Sequence, residues 1–442
     1  MTASPQMALG PRQPFGFHVN IAWVLAFFAL AALILNTMFG PLAVLVFLAS
    51  GLALIATRPE YSLYVVARHW IILLLPAYCL ASTLWSEFPT VTLRHGAQFA
   101  VTCVIAIVIA NRVPPIVLHR FLYAIYGFGV LLSFAFGRVR DDIGAWIGIF
   151  GSKNAFAGVV SVFMLASLAL LIDKRAHWLA RVAAAASVLV AAPALVLAQS
   201  AGAIIVLIPA IGILALIHIS RFTNLAQRLF FGVMLALVAA AGVVVFVAYG
   251  DAILAQVLDL SGKNPTLTGR TDLWQIGINL INQNPLFGVG YQAFWVQGSA
   301  LAESLWAEFS IESRSGFNFH NTYISNAVEI GLIGVGLQVL ILYGGLVGCL
   351  LWAFRNPSPA SAFFSAFLVM VVGSSFVEVA VFFQFSVTSI LVICAFVYAV
   401  QAGEAWRAHI LGLTMQPARK AQAASGPGGP DQPELPLPQA QP

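Results

Sequence analysis

The sequence predicts an all-α integral membrane protein with about twelve transmembrane helices and one large outer loop carrying short amphipathic helices. Three observations lead there. Apolar residues make up 60% of the chain and charged residues only 8%, against about 25% charged in a soluble domain. The apolar residues are gathered into runs suited to spans of ~20 residues, the length that crosses a hydrocarbon core roughly 30 Å thick. Backbone groups in lipid must also bond internally, and runs this long and uniformly apolar do so as helices rather than as barrel strands. Together these exclude a soluble enzyme.

The runs fall at 20–38, 40–56, 69–86, 94–110, 116–136, 154–172, 178–198, 201–219, 227–249, 323–354, 360–378 and 384–402. They divide the chain into an N-terminal tail (1–19), nine helices (20–249), a large outer loop (250–322), three helices (323–402) and a C-terminal tail (403–442). Residues 1–16 are polar and contain proline, and no small-residue cleavage site follows, so the first run reads as a span rather than a signal peptide. With the N-terminus in the cytoplasm, 14 of the 21 lysines and arginines fall on the cytoplasmic side and seven on the outer side, as the positive-inside rule requires. An even number of spans then places both termini in the cytoplasm. From about residue 415 the tail is rich in Ala, Pro, Gly and Gln and is expected to be disordered.

The net charge of +5 is scattered over short loops and forms no stripe, which argues against nucleic acid as a partner. Cys79, Cys103, Cys349 and Cys394 all lie in apolar runs without C-x-x-C spacing. Neither a disulfide framework nor a zinc site is indicated, and small buried hydrophobes are the simpler reading.

Polar residues concentrate between Thr268 and Gly334. The outer loop is too long for an ordinary connection, and its composition favours order. Leu273, Ile276, Leu280 and Ile281 recur at helical spacing, with Thr268 or Thr271 as a cap and Asn284-Pro285 as a stop. A second short helix fits Leu301, Leu305, Trp306 and Phe309. Both are expected to lie along the membrane surface with tryptophan at headgroup depth. Between them Gly288 and Gly290 permit a tight turn.

Several residues carry candidate chemistry, each beside a plainer reading. Arg270 opens the first loop helix, where free N–H groups and a guanidinium fork suit phosphate oxygens; otherwise it pairs with Asp272 or reaches lipid headgroups. His320 precedes the tenth run, where the positive helix end disfavours the imidazolium, and a neutral imidazole can accept a proton as a general base does; otherwise it bonds a backbone carbonyl at the interface. Glu329 and Glu378 fall inside predicted spans, where carboxyls are costly and face the bundle interior, in either a functional or a packing role. Lys153-Asn154 opens the sixth run. Arg138 and Arg140 precede Asp141-Asp142, an arrangement that favours local pairing over a metal site.

These segments support a family resemblance. Gly-Arg-Thr-Asp-Leu-Trp (269–274), Asn-Pro-Leu-Phe-Gly-Val-Gly (284–290), His-Asn-Thr-Tyr (320–323) and Glu-Ile-Gly-Leu-Ile-Gly (329–334), supported by Gly-Ser-Lys-Asn (151–154), resemble the O-antigen ligase and Wzy-type polymerase superfamily. Within it the chain looks most like exopolysaccharide polymerases of the ExoQ type. The resemblance implies a glycosyltransferase of the bacterial inner membrane whose large loop and active site face the periplasm. Its donor would be a glycan on undecaprenyl diphosphate and its acceptor a glycan or a lipid. A chain-length regulator and a flippase are the implied partners besides membrane lipids, and no cofactor or metal is called for. Arg270 would contact the diphosphate and His320 would activate the acceptor hydroxyl. Asn154, Asn321 and Tyr323 lie in the matching motifs as substrate contacts.

One departure stands out. Members often carry a second basic residue near the position of Gln199-Ser200-Ala201-Gly202, where this chain has none. Lys153, Arg138, Arg140 and Arg314 are the candidates to replace it. A ligase that moves a finished glycan onto lipid A core or protein shares the same donor chemistry. A transporter or lipid flippase is the alternative of another class; transporters usually show internal repeats with broken helices at matching positions, and none is evident.

Overall fold

The computed structural model describes residues 20–141, 143–234, 237 and 270–424, with side chains to Gly412. Residues to Ala399 form one unit and those from Val400 a second. The predicted N-terminal tail, most of the ninth run, Thr268 and the loop before Arg270 lie outside the described residues.

Among the described residues the protein is almost entirely helical: α1 Ile21–Ile34, α2 Asn36–Phe39, α3 Pro41–Ala56, α4 Pro59–Arg68, α5 Trp70–Ala81, α6 Pro89–Arg112, α7 Pro115–Phe136, α8 Lys153–Leu171, α9 Trp178–Leu197, α10 Ala201–Ser220, α11 Leu225–Met234, α12 Arg270–Gln283, α13 Ala300–Glu308, α14 Thr322–Arg355, α15 Pro359–Ser375 and α16 Val387–Ala424. Proline at the first helical position starts α3, α4, α6, α7 and α15, where its missing N–H costs nothing and its fixed φ is already helical. A two-stranded ribbon, β1 Arg138–Val139 with β2 Trp146–Gly148, links α7 to α8.

Helices occupy each predicted run that the structure describes. Among the described residues seven are long and apolar enough to cross a membrane, or eight if α3 and α4, bent by 100° at their junction, are one broken span. Helix α1, residues Trp70–Leu84, α11 and α15 are apolar but shorter, so the expected twelve includes helices below full span length. The last helix runs to Ala424, so residues 415–424, expected to be disordered, are helical; their Ala, Gln, Arg and Lys are strong helix formers.

Helix α8 packs against α7, α9 and α10, and α15 packs against α10, α14 and α8. Their shared interior is built of large apolar side chains, among them Phe156, Phe363, Phe364 and Phe367. The start of α8, the start of α10, the end of α15 and the start of α14 meet at one end of this packing, and the polar residues described below sit there.

The tenth run is not one straight helix. At Gly331 the backbone of α14 leaves the helical region, with φ 62° and ψ −176°. The two arms fold back on each other. Asn326 Nδ2 donates to Gln338 Oε1 at 2.9 Å and the Tyr323 and Tyr343 hydroxyls meet at 2.9 Å, whereas residues 20 apart lie ~30 Å apart along a straight helix. A break strands backbone groups that must find other partners. The Asn284–Gly290 loop supplies them. Val289 and Gly290 N–H groups donate to the Val328 and Glu329 carbonyls at 3.0 and 2.8 Å, and Leu332 N–H donates to Pro285 O at 2.8 Å. Gly288 (φ 67°) and Gly331 allow the two backbones to approach, since a Cβ on either would run into the backbone of the other segment. Tyr78 and Trp85 donate to the Leu286 and Phe287 carbonyls and hold the loop from its other side.

The loop helices form as their apolar spacing predicts, and α12 stops at Gln283, just before Asn284-Pro285. They enclose a second small core of Leu273, Phe294, Leu305, Phe319 and Val328. Trp306 is 2% exposed and packs against Trp295 with the rings tilted; this corrects the expectation of Trp306 at headgroup depth, because the loop has apolar surface of its own to bury. Likewise the Trp274 indole donates to Phe319 O at 2.8 Å.

Gly331→Ala forces an alanine into a positive-φ, extended-ψ conformation open essentially to glycine alone, costing about 1–3 kcal/mol, and pushes its Cβ into Leu286 and Phe287. It should lower the thermal unfolding midpoint of the detergent-solubilised protein or abolish its monodisperse peak on gel filtration. Gly212→Ala, on α10 with open space around it, should leave both unchanged.

Candidate active site

The Glu378 carboxylate gathers the polar side chains at this end of the protein. Its Oε1 accepts from Asn154 Nδ2 at 2.7 Å and from Arg270 Nη2 at 3.0 Å, and its Oε2 lies 3.1 Å from His320 Nδ1. Arg270 Nη1 also donates to Val377 O at 2.9 Å, and its Nη2 comes within 3.5 Å of His320 Nδ1. Thr322 Oγ1 donates to Glu378 O at 2.8 Å and accepts from Ala380 N–H at 3.0 Å, fixing the backbone on either side of Val379. The side chains of Arg270, Glu378 and His320 are 23%, 31% and 29% exposed, so a substrate can reach them although most of their surface is covered.

Local structure explains the placement. Asn321 caps α14, its Oδ1 accepting from the Tyr323 and Ile324 N–H groups at 2.9 and 3.1 Å, while its Nδ2 donates to Phe376 O at 3.1 Å. His320, one residue earlier, takes φ 49°, an uncommon conformation for a residue other than glycine. Its N–H is held by Asn318 Oδ1 at 2.7 Å. A carboxylate facing Nδ1 selects the tautomer that carries its proton there and leaves Nε2 as the basic nitrogen. Burial alone would raise the pKa of Glu378, but the hydrogen bond and charge of His320, and then those of Arg270, outweigh it and hold the carboxyl below its ordinary 4.5.

A shallow, open apolar depression adjoins this cluster, lined by Tyr323, Val339, Tyr343 and Phe376. Tyr323 follows Thr322 and Phe376 precedes Val377, so polar site and apolar surface are built from the same two stretches of chain.

Of the residues singled out in the sequence, Arg270, His320 and Asn154 meet on Glu378. Asn321 and Tyr323 flank them. Lys153 Nζ donates to Gln199 O at 3.3 Å, and Ser200 Oγ donates to Asn154 Oδ1 at 3.0 Å. The lysine therefore reaches the Gln199-Ser200-Ala201-Gly202 segment, which has no basic residue of its own. Arg314 instead pairs with Glu303, and that carboxylate also accepts from Gly298 N–H. Arg138 donates to Phe150 O at 3.1 Å, and the Arg140 N–H donates to Ala145 O within the ribbon turn. No described hydrogen bond joins Arg138 or Arg314 to Glu378. The sequence marked Glu378 only as an intramembrane carboxyl, because the apolar run extends to it. In the structure α15 ends at Ser375 and Glu378 lies beyond the helix. Ser200 and Thr322 were not singled out either; a hydroxyl beside a helix start is too common to be a signal.

A helical, multi-pass membrane architecture with a guanidinium, an imidazole and a carboxylate gathered at its helix ends defines the class: a polytopic membrane protein with a partly exposed polar cluster. The O-antigen ligase family profile matches residues 185–339, a stretch that includes Arg270, His320 and both glycine segments. The chain is 32% identical over 363 residues to the exopolysaccharide production protein ExoQ of Rhizobium meliloti (strain 1021), covering 80% of this chain and 82% of that protein. It belongs to the O-antigen ligase family of polysaccharide-biosynthesis membrane proteins. Glu378, Asn154 and Lys153 lie outside the matched 185–339.

A carboxyl whose pKa is depressed by folding stabilises the protein above its unfolded value, and that stability is lost as pH falls through the folded value. Glu378→Gln should therefore flatten the acid limb of the unfolding-midpoint profile below about pH 4.5 relative to the parent protein, measured in one detergent across a pH series. Superimposable acid limbs would show that the Arg270–Glu378–His320 contacts add nothing to stability.

Proposed function

We propose that the protein is a membrane glycosyltransferase that polymerises oligosaccharide repeat units carried on undecaprenyl diphosphate, working at the periplasmic face of the inner membrane. The observation that carries this reading is the convergence of Arg270 and His320 on Glu378. In the proposed reaction an acceptor hydroxyl gives its proton to His320 Nε2 as its oxygen attacks the anomeric carbon of the donor. The bond from that carbon to the diphosphate oxygen breaks, and the electron pair leaves with the lipid diphosphate. A single displacement of this kind inverts the anomeric centre.

Each residue has a physical task. Glu378 orients the imidazole and stabilises the imidazolium once it forms. Arg270 has five N–H donors in a planar fork, two of which are committed to Val377 O and Glu378. The others can meet phosphate oxygens as negative charge develops on them. Lys153, at Gln199, supplies the second cation for the diphosphate, and Asn154 orients Glu378. The lipid chain adjoining the diphosphate lies against the apolar surface of Tyr323, Val339, Tyr343 and Phe376. Because diphosphate is already a good leaving group, charge stabilisation and proton removal suffice and the mechanism invokes no metal.

The match to a family described as O-antigen ligase favours a second reading, transfer of a finished glycan to lipid A core or to protein. The two share donor chemistry and differ in acceptor. Deleting the gene separates them: loss of chain length with single repeats still attached supports the polymerase, and full-length unattached polymer supports the ligase.

His320→Ala should reduce transfer by about 10²–10⁴-fold in membranes supplied with the lipid-linked repeat, with the protein inserted at parental level by immunoblot. Arg270→Lys should also lose most activity, because an ammonium cannot reproduce the fork. Parental turnover by the lysine variant would reduce Arg270 to a structural anchor.

A further inference from the structure

We infer that Phe317, braced by Trp295 and Phe309 and flanked by Asn318, forms a subsite that seats a pyranose ring of the acceptor glycan against His320. This rests on the transferase reading and extends it to the aromatic ring that stands beside the imidazole.

Both charged neighbours of His320 approach Nδ1: Glu378 at 3.1 Å and Arg270 at 3.5 Å. The basic nitrogen, Nε2, is on the other side of the ring, and what surrounds the imidazole apart from the ion pair decides what that nitrogen meets. Phe317 stands nearly perpendicular to the imidazole, with ring centroids 6.3 Å apart. It contacts Trp295 edge to face at 5.1 Å and Phe309 at 5.4 Å. Trp295 in turn rests on Phe294, Phe319 and Trp306. Phe319 and Trp306 are fully buried, whereas Phe317, Asn318, Trp295 and Phe309 are only partly covered. A half-open aromatic ring held rigid from behind offers contact area at little entropic cost.

The chemistry of the patch selects its ligand. A lipid diphosphate needs cations, and these lie with Arg270 and Lys153. The ring surfaces here carry no charge. Their π faces are electronegative and suit the C–H face of a neutral sugar ring, while hydroxyls on the ring's rim need hydrogen-bonding partners. Asn318 provides one. Its Oδ1 holds the His320 N–H at 2.7 Å, and its amide NH₂ has no partner among the described residues, leaving two donors beside the base. A sugar stacked on Phe317 is thereby placed next to the group that takes its proton.

The test uses the full-length chain in nanodiscs, with an oligosaccharide of several repeats cut from the producing strain's own polymer as the probe. In the non-reacting His320→Ala background, Phe317→Leu should weaken calorimetric binding of this saccharide roughly tenfold and Phe317→Tyr should restore it to within about twofold, as expected for loss and recovery of one aromatic contact. If the leucine variant fails to fold, Phe317→Met reads the same contact. With His320 intact and lipid-linked donor present, Phe317→Leu should raise the acceptor KM by a similar factor with kcat nearly unchanged. Saccharide binding that ignores Phe317→Leu, or a kcat loss without a KM change, overturns the subsite and returns the ring to the fold or to the lipid-facing surface. Turnover that survives His320→Ala instead overturns the transferase mechanism itself, so the two failures are distinct.

Discussion

The carboxylate of Glu378 ties together the polar ends of helices that already pack against one another. Asn154 comes from α8, Arg270 from α12, and His320 and Thr322 from the start of α14, and each reaches the Glu378 side chain or its own carbonyl. Ser200, before α10, joins through Asn154. A carboxylate that accepts three side-chain donors is well satisfied despite its partial burial. Its two oxygens hold the guanidinium and the imidazole in fixed relation.

The constraint beneath this cluster is the break in α14. A straight helix would carry residues 322–330 away from the rest of the bundle, whereas the turn at Gly331 folds them back so that Tyr323 meets Tyr343 and the helix start faces Glu378. The turn is stable because the Asn284–Gly290 loop pairs with backbone groups that the break would otherwise strand. Two glycine-containing segments some 40 residues apart in sequence are thus complementary halves of one backbone joint. The joint sets where His320 stands.

Much of this was legible in the sequence, for identifiable reasons. Long apolar runs announce membrane helices whatever their partners, and the periodic Leu273, Ile276 and Leu280 with Asn284-Pro285 behind them define α12 from local information alone. Arg270 and His320 could be singled out because each sits at a helix start inside a polar segment. Glu378 could not be assigned to the same place, because the apolar run reaches it and only the backbone contacts of Val377 and Glu378 with Arg270 and Thr322 show that the helix ends earlier. The break at Gly331 was hidden for the same reason. Leu332 and Ile333 continue the apolar pattern across it, and the loop that makes the break affordable lies far away in sequence. Trp306 was misplaced because a surface helix and a helix over a small local core show the same apolar stripe.

The ion pair of Arg270 and Glu378 also bears on how the catalytic cycle ends. On the proposed reaction, the departing lipid diphosphate carries more negative charge than the glycan-bearing donor, since its terminal phosphate is no longer esterified to sugar. A site of unopposed cations would hold that product more tightly than the donor and slow each round. With a carboxylate 3.0 Å from the guanidinium, repulsion would grow as the leaving group ionises, so on that reaction product expulsion is favoured by the residue proposed to orient the base.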